Sequence, residues 1–137
     1  MKYSKATNYA LHTMLYLSAI GPDKPVGVQQ LADRQGVSST YLSKILTKLV
    51  KAGLIESTPG ANGGYRLKSR KEEISFLDII HAIEGVASLF ECCDEEDSRC
   101  IIHQEMRAAE KAMEEHLRNT KMIELARKLG KEHLTIK

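Results

Sequence analysis

The sequence predicts a mainly α-helical protein with one small β-hairpin and a long C-terminal helix. Apolar residues recur at helical spacing along most of the chain. Aromatic residues make up only 5% and Trp is absent, which favours helices packed through Leu, Ile, Met and Ala. The 137 residues are enough for one domain with its own core, and little length remains for a second.

Two predicted helices begin the chain and are separated by a helix-breaking segment. Residues 7–20 place apolar side chains near helical spacing, and "GPDKP" at residues 21–25 ends this helix. A short second helix follows, with Gly36 as its predicted C-cap. The inward side chains of this second helix are predicted to be Val28, Leu31 and Ala32.

A third helix and a hairpin complete the first half. The helix begins at serines suited to N-capping and ends at Gly53. Residues 54–57 and 64–68 read as short strands around "TPGANGG", whose Gly, Pro and Asn residues are typical of a hairpin tip. Two short helices joined by a tight Gly-containing turn and followed by a hairpin are typical of a winged helix-turn-helix. The apolar stripe of the third helix consists of Leu42, Ile45, Leu46 and Leu49.

In that motif the N-terminal end of the second helix of the pair enters the major groove of DNA. Here that end carries hydroxyl groups and cations, which can reach phosphates and base edges. The charge distribution agrees with a polyanionic partner. Residues 1–70 have ten Lys/Arg against three Asp/Glu, a net +7, whereas residues 71–137 have ten against fifteen, a net −5. The alternative is that these are ordinary capping and surface residues. The candidate DNA-binding residues of the helix are Ser38, Ser39, Thr40, Tyr41, Ser43, Lys44 and Lys48.

The second half is predicted to contain a helix over residues 74–85, a cysteine-containing loop and a longer helix over residues 101–117. On the longer helix, apolar residues recur at spacings of 4, 3, 4 and 4, close to a heptad. We expect the same helix of a second copy to cover this stripe, because a homodimer would also present two reading helices to a two-fold symmetric operator. The alternative is packing within the chain. The stripe consists of Ile102, Met106, Ala109, Met113 and Leu117.

Several sequence blocks resemble the Rrf2 family of bacterial winged-helix regulators. They are "YSKATNYALHTMLYLS", "LADRQGVSSTYLSKILTKLVKAGLIES", "GANGGYRL" and "ISFLDIIHAIEG", which follow one another in order along nearly the whole chain. The resemblance implies a cytoplasmic homodimeric transcription factor, usually a repressor. It implies a DNA-binding domain over residues 1–85, a sensor loop over residues 86–100, and a dimerisation helix with a C-terminal helix over residues 101–137.

The wing departs from the family pattern. Family members often carry an arginine at the wing tip that enters the minor groove, whereas this chain has Thr58, Pro59 and Gly60 there. The nearest basic residues are Arg66 and Lys68, which we expect to contact phosphates rather than bases. The operator sequence is therefore not predicted by the resemblance.

The segment "ECCDEEDSRCIIH" at residues 91–103 carries the candidate sensor chemistry. In the cluster-binding members of the family, three spaced cysteines and one other group hold iron. By resemblance, Cys100 and His103 match the last cysteine and a histidine three residues on, and Cys92 or Cys93 matches the first. The middle cysteine is missing, and adjacent cysteines rarely bind one metal. One chain is thus one ligand short of the four expected for a 2Fe-2S or other iron–sulfur cluster.

Other ligands and other signals stay open. Some relatives borrow ligands from the first helix of the partner subunit, at positions matching Asn8 and His12, and His12 could complete a set of two cysteines and two histidines. Zinc on such a set is chemically reasonable. The acidic run at residues 94–97 makes a thiolate less available, which argues against a fast peroxide-sensing thiol. The alternatives are a thiol or disulfide switch, and control by a partner protein or small ligand without cysteine chemistry.

Enzymatic and membrane functions are not predicted. The sequence shows no nucleophile–base pair, phosphate loop or paired acids that would indicate an active site. No apolar run approaches 18 residues and no cleavage site follows the N-terminal segment, so we expect neither a membrane span nor a signal peptide. A winged helix used only for protein contacts is the alternative from another functional class.

Overall fold

The computed structural model describes residues 3–68, 73–90 and 100–129. Within these ranges the chain forms six helices and one two-stranded antiparallel sheet. The elements are α1 (Lys5–Ile20), α2 (Val28–Gln35), α3 (Ser39–Lys51), β1 (Ile55–Thr58), β2 (Gly64–Leu67), α4 (Phe76–Glu84), α5 (Ile101–Asn119) and α6 (Met122–Lys128). The mainly α-helical winged helix-turn-helix that the sequence predicted is confirmed.

The turn between α2 and α3 forms as its residues predict. Gly36 adopts the left-handed conformation with φ 68°, and its backbone N–H donates to the carbonyl oxygens of Ala32 and Asp33. This closes α2 as a glycine C-cap does. Two residues later the hydroxyl of Ser38 accepts a hydrogen bond from the backbone N–H of Tyr41, which caps α3. The tight turn therefore fixes the angle at which α3 leaves α2.

The core is built from residues of α1, α2, α3, the hairpin, α4 and α6. The predicted stripe of α3 is buried in full, as are Ala10, Met14 and Leu17 of α1. Of the inward residues predicted on α2, Leu31 and Ala32 are buried whereas Val28 is half-buried. Burial of the apolar face of α3 leaves its polar face, with the hydroxyls and lysines, to solvent.

The wing is a short hairpin that is attached to the segment before α2. Strand β1 pairs with β2 in a register that places Ile55 opposite Leu67. An isolated bridge joins Val26 to Tyr65, with N–H to carbonyl distances of 2.9 and 2.8 Å in the two directions. Beside it, a Cβ added to Gly64 would lie 2.5 Å from the carbonyl carbon and oxygen of Val26. Glycine at this position thus allows the wing to approach the α2 side of the domain.

The C-terminal helix packs on the first helix, which the sequence analysis did not foresee. Met122, Ile123 and Ala126 of α6 are buried, and Met122 is part of the main core. The chain enters α6 through a bridge between Ser75 and Lys121, next to a hydrogen bond from the N–H of Met122 to the carbonyl of Ile74. This backbone pairing fixes α6 beside the start of α4.

Helix boundaries differ from the predicted ones by a few residues. Helix α1 begins at Lys5 rather than at residue 7, and α4 begins at Phe76 rather than at residue 74, because Ser75 and Asp78 form a capping box at its start. Helix α5 begins at Ile101 as predicted and continues to Asn119. No helix in the described part of the chain is long and apolar enough to cross a membrane.

Candidate functional site

The N-terminal end of α3 presents its polar residues at the surface. Thr40 and Tyr41 are exposed, whereas Ser39 and Ser43 are half-buried. The exposed Lys44 and Lys48 follow one helical turn apart, so both lie on one face. Ser38 is exposed as well, although its hydroxyl already accepts the capping hydrogen bond from Tyr41 at 3.1 Å.

An aromatic contact fixes the start of α3 against α1. The rings of Tyr9 and Tyr41 meet edge to face, with centroids 5.8 Å apart and an interplanar angle of 89°. This geometry is a preferred one for aromatic pairs. Tyr9 was not among the predicted site residues, because its partner lies 32 residues further along the chain and no local pattern connects them.

The wing offers fewer cations than its sequence suggests. The Nε of Arg66 lies 2.9 Å from the carboxylate of Glu56 on the opposite strand, and both side chains are about two-fifths exposed, at 39% and 41%. Arg66 is therefore already engaged within the wing, whereas Lys68 is exposed. The tip residues 59–62 are exposed and uncharged.

Cys100 and His103 lie at the start of α5. Cys100 is half-buried at the N-cap position, and His103 lies one turn further along. The His103 ring packs at a tilt against Phe90, with centroids 6.2 Å apart. Its Nδ1 atom is buried and has no hydrogen-bond partner among the described residues. Cysteine sulfur and imidazole nitrogen are ligands that suit iron or zinc.

The remaining predicted ligands do not join this pair within the described ranges. Cys92 and Cys93 lie outside the described residues. His12 is exposed on α1 with its Nδ1 2.9 Å from the carbonyl oxygen of Asn8, so the two residues share one face of that helix. Over residues 3–68, 73–90 and 100–129 of one chain, no three His, Cys, Asp or Glu side chains form a group able to hold a metal.

The predicted apolar stripe of α5 is partly covered by the rest of the chain and partly exposed to solvent. Met106, Met113 and Leu117 are half-buried. Ile102 is 68% exposed, and Ala109 is exposed as well. Ile101, which is not part of the predicted stripe, is 74% exposed. No residue of this helix is fully buried. An apolar surface therefore remains open along α5.

Glu84, the last residue of α4, binds the start of α1. Its Oε2 atom accepts hydrogen bonds from the N–H of Ser4 at 2.7 Å, from the hydroxyl of Ser4 at 3.0 Å and from the hydroxyl of Thr7 at 2.5 Å. Burial would raise the pKa of this carboxyl group. The hydrogen bonds from Thr7 and Ser4 and the charge of Lys48 outweigh burial, so the pKa of Glu84 lies below its ordinary value.

Glu110 of α5 holds the segment that precedes the cysteines. Its side chain is only 9% exposed. Its Oε2 atom accepts hydrogen bonds from the N–H of Leu89 at 2.6 Å and from the hydroxyl of Ser88 at 3.0 Å. Sequence reasoning missed both Glu110 and Glu84, because their partners are 21 or more residues away.

A family model described as "Rrf2: Iron-dependent Transcriptional regulator" matches residues 3–128 of this chain. The match covers both the winged helix-turn-helix and the helices that follow it. It includes Cys100, His103 and the segment between α4 and α5.

Individual proteins show the same likeness. The chain is 39% identical over 100 residues to the protein rrf2 of Nitratidesulfovibrio vulgaris, an alignment that covers 73% of this chain and 66% of that protein. It is 36% identical over 103 residues to the HTH-type transcriptional regulator NsrR of Shouchella clausii, covering 75% of this chain and 69% of the relative. The matched stretch thus spans about two thirds of these relatives' lengths.

A solved structure resembles the whole fold. CymR of B. subtilis, described as the global cysteine regulator, superposes with a TM-score of 0.83 at 29% identity. The superposition covers 95% of this chain and 99% of the CymR chain. The packing of the helices around the hairpin is therefore shared with that regulator.

Proposed function

We propose, from the premise that this chain belongs to the Rrf2 family of transcriptional regulators, that it binds a two-fold symmetric DNA operator as a homodimer and represses transcription. We further propose that the state of the loop between Cys92 and Cys100 sets its affinity for DNA. The chain is a regulator rather than an enzyme. The observation that carries the proposal is the exposed polar end of α3 on a helix whose opposite face is buried in the core.

The proposed DNA contacts follow from the chemistry of that end. The major groove of B-DNA admits one α-helix, and hydroxyl groups can donate to or accept from base edges. Thr40, Tyr41 and Ser43 would read or approach the bases, while Lys44 and Lys48 would neutralise phosphates. On the wing, Lys68 is an exposed candidate for a phosphate contact, whereas Arg66 would first have to leave Glu56.

The proposed homodimer uses the open surface of α5. Ile101, Ile102 and Ala109 expose apolar atoms on a helix that the rest of the chain covers only partly. Joining two copies through this surface would remove it from water. It would also hold two α3 ends for half-sites about 34–36 Å apart.

The proposed sensor site is built around Cys100 and His103. They would hold an iron–sulfur cluster together with Cys92 or Cys93, and His12 of the partner subunit is a candidate for the fourth ligand. The buried Nδ1 of His103, which has no partner in the described part of the chain, supports a role as a ligand. A bound cluster would make the protein responsive to redox state, nitric oxide or iron supply. The regulator would act in the cytoplasm.

Two other modes of control remain within the same proposal. Cys92, Cys93 and Cys100 could form a thiol or disulfide switch, and zinc could take the place of iron. Alternatively, a partner protein or small ligand could control DNA affinity. A winged helix used only as a protein adaptor is the alternative from another class, and DNA titration separates it from a regulator.

DNA binding is tested by fluorescence anisotropy with the upstream region of the protein's own gene, at several salt concentrations. We expect Lys44→Ala to weaken binding and to reduce the slope of log affinity against log salt by about 1.8, since each subunit of the homodimer loses one phosphate contact worth about 0.9. Lys111→Ala, an exposed lysine on α5, is the matched control and should leave the slope unchanged. No binding in any redox state would contradict the proposal and favour the adaptor.

The sensor site is tested by anaerobic purification and reconstitution with iron and sulfide, followed by an absorption spectrum and metal analysis. Iron and sulfide with visible absorption are expected in the wild type, with strong loss of both in Cys100→Ala. His116→Ala, an exposed histidine on the same helix, should behave as the wild type. A colourless, iron-free wild type would eliminate the cluster. Restoration of DNA binding by a thiol reductant would then indicate the thiol switch.

A further inference from the structure

Two carboxylates bracket the segment Gly85–Phe90, which leads from α4 toward the cysteines. Glu84 stands immediately before this segment and bonds to the N-terminus of α1. Glu110 bonds to the segment itself, through the N–H of Leu89 and the hydroxyl of Ser88. Carboxylates make stronger hydrogen bonds than neutral acceptors do, so both fix their partners firmly.

From Glu110, contacts continue to the candidate sensor residue His103. The hydroxyl of Ser88, held by Glu110, also accepts a hydrogen bond from the N–H of Phe90 at 3.3 Å. The ring of Phe90 lies against that of His103. A change around His103 would therefore displace the Phe90 ring and, through Ser88, alter the bonds to Glu110.

From Glu84, contacts continue to the DNA-binding half. Its carboxylate accepts hydrogen bonds from the N–H and the hydroxyl of Ser4, the N-cap residue of α1, and from the hydroxyl of Thr7 in the first turn of that helix. Lys48 of α3 lies close enough for its charge to lower the pKa of Glu84. Glu84 thus touches α1 directly and interacts electrostatically with the candidate reading helix.

Both carboxylates act electrostatically on the phenol of Tyr3. Burial of its phenol and the charges of Glu114, Glu84 and Glu110 all raise the pKa of Tyr3. Helix α4 packs against both α1 and α5.

We propose that Glu110 and Glu84 are positioning residues, which connect the surroundings of Cys100 and His103 to the N-terminus of α1 and so to the DNA-binding end of α3. This inference rests on the proposed function, since it concerns how the state of the cysteine loop changes DNA affinity. Neither residue is a ligand or a DNA contact in this role. Each acts by holding one end of the segment Gly85–Phe90 against a different helix.

The functional test compares DNA dissociation constants in three states: reduced and metal-free, treated with the thiol oxidant diamide, and reconstituted anaerobically with ferrous iron and sulfide. The readout is the ratio between the weakest and the tightest state. Glu110→Ala should reduce this ratio of dissociation constants by a factor of about 2 to 30, which brings it closer to one. Glu110→Gln, which keeps an acceptor oxygen, should retain most of the ratio. Glu115→Ala, an exposed carboxylate on the same helix, is the control and should retain all of it.

A structural readout separates this inference from the proposed function. Amide hydrogen exchange is measured on the reduced, metal-free protein without DNA. Glu110→Ala should speed exchange at Leu89 and also at residues 4–7, by about threefold or more, because loosening one carboxylate loosens the other. In a Glu84→Gln/Glu110→Ala double variant, the effects of the two substitutions on amide exchange should be non-additive.

The outcomes are distinct. Faster exchange confined to residues 88–90, with additive effects in the double variant, would overturn the coupling. An unchanged ratio of dissociation constants in Glu110→Ala would overturn it as well. If the wild type binds DNA equally in all three states, the proposed sensing function fails, and the exchange experiment alone then decides whether Glu110 and Glu84 are coupled.

Discussion

Ser38 has a structural task in addition to its proposed place at the DNA. Its hydroxyl oxygen accepts the N–H of Tyr41 and thereby caps α3. A hydroxyl has one donor and a second acceptor site, so a contact with phosphate remains open to it. Stability and DNA binding can consequently be separated by choosing a substitution that preserves the cap.

We predict that two Ser38 variants differ in their effect on the free energy of unfolding. Ser38→Asp keeps a good N-cap and should change the free energy of unfolding by less than about 0.5 kcal/mol. It should weaken DNA binding roughly tenfold or more, because a carboxylate would face the phosphates. Ser38→Ala removes the cap and should cost about 1 kcal/mol of stability. Urea denaturation measures the stability of both variants, and fluorescence anisotropy measures their DNA binding. Full DNA affinity in Ser38→Asp would place this end of α3 away from the DNA.

The depressed pKa of Glu84 predicts a pH-dependent contribution to stability. The folded state favours the charged carboxylate, so the stabilisation is complete above the ordinary glutamate pKa and is lost as the pH falls through the lower folded-state pKa. The wild type should therefore be more stable than Glu84→Gln at neutral pH, with a difference that shrinks below the ordinary glutamate range. Thermal unfolding across pH measures this. A difference that is constant down to strongly acidic pH would contradict the assigned hydrogen bonds.

At the scale of elements, the wing depends on a glycine at its base. Gly64 has φ 147° and lies against the backbone of Val26, where a Cβ would come within 2.5 Å of two atoms. The bridge between Val26 and Tyr65 requires this close approach. The position of the wing relative to α3 thus follows from a contact that only glycine allows.

We predict that Gly64→Ala lowers the free energy of unfolding by about 2 kcal/mol and weakens DNA binding, because the backbone must shift at the wing base. Ala61→Ser at the exposed wing tip is the control and should leave stability unchanged. Urea denaturation and DNA titration measure the two effects. Wild-type stability in Gly64→Ala would show that the wing base tolerates a larger separation.

Helix α5 shows where periodicity and packing differ. The spacing of apolar residues predicted one continuous stripe, and the structure divides it between half-buried Met106, Met113 and Leu117 and exposed Ile102 and Ala109. Periodicity identifies which residues share a face but not what covers the face. The angle at which α5 lies on the chain decides the division.

For the whole molecule, the exposed part of α5 carries a prediction about assembly. Ile102→Glu should raise the dimer dissociation constant by about tenfold or more, because a charge would be buried in the proposed interface. Sedimentation analysis measures this, with Lys111→Glu on the opposite side of the helix as the control. An Ile102→Glu variant that stays dimeric at the wild-type affinity would place the interface elsewhere.

The two halves of the molecule meet through long-range contacts. Helix α6 returns to pack on α1, and Glu84 at the end of α4 accepts hydrogen bonds from Ser4 and Thr7 at the start of α1. An acidic residue at a helix C-terminus is locally unfavourable, because it faces the negative end of the helix dipole. That local conflict is the one sign in the sequence that Glu84 has a distant partner.

Sequence patterns were sufficient to predict the helices of the DNA-binding half, the cap at Ser38, the buried stripe of α3 and the hairpin. Each of these depends on residues a few positions apart, and short-range spacing and turn chemistry are visible in a sequence. The folded chain was needed to see the Tyr9–Tyr41 contact, the burial of Met122 and the hydrogen bonds of Glu84 and Glu110. These contacts join residues tens of positions apart, and their geometry follows from how whole helices pack.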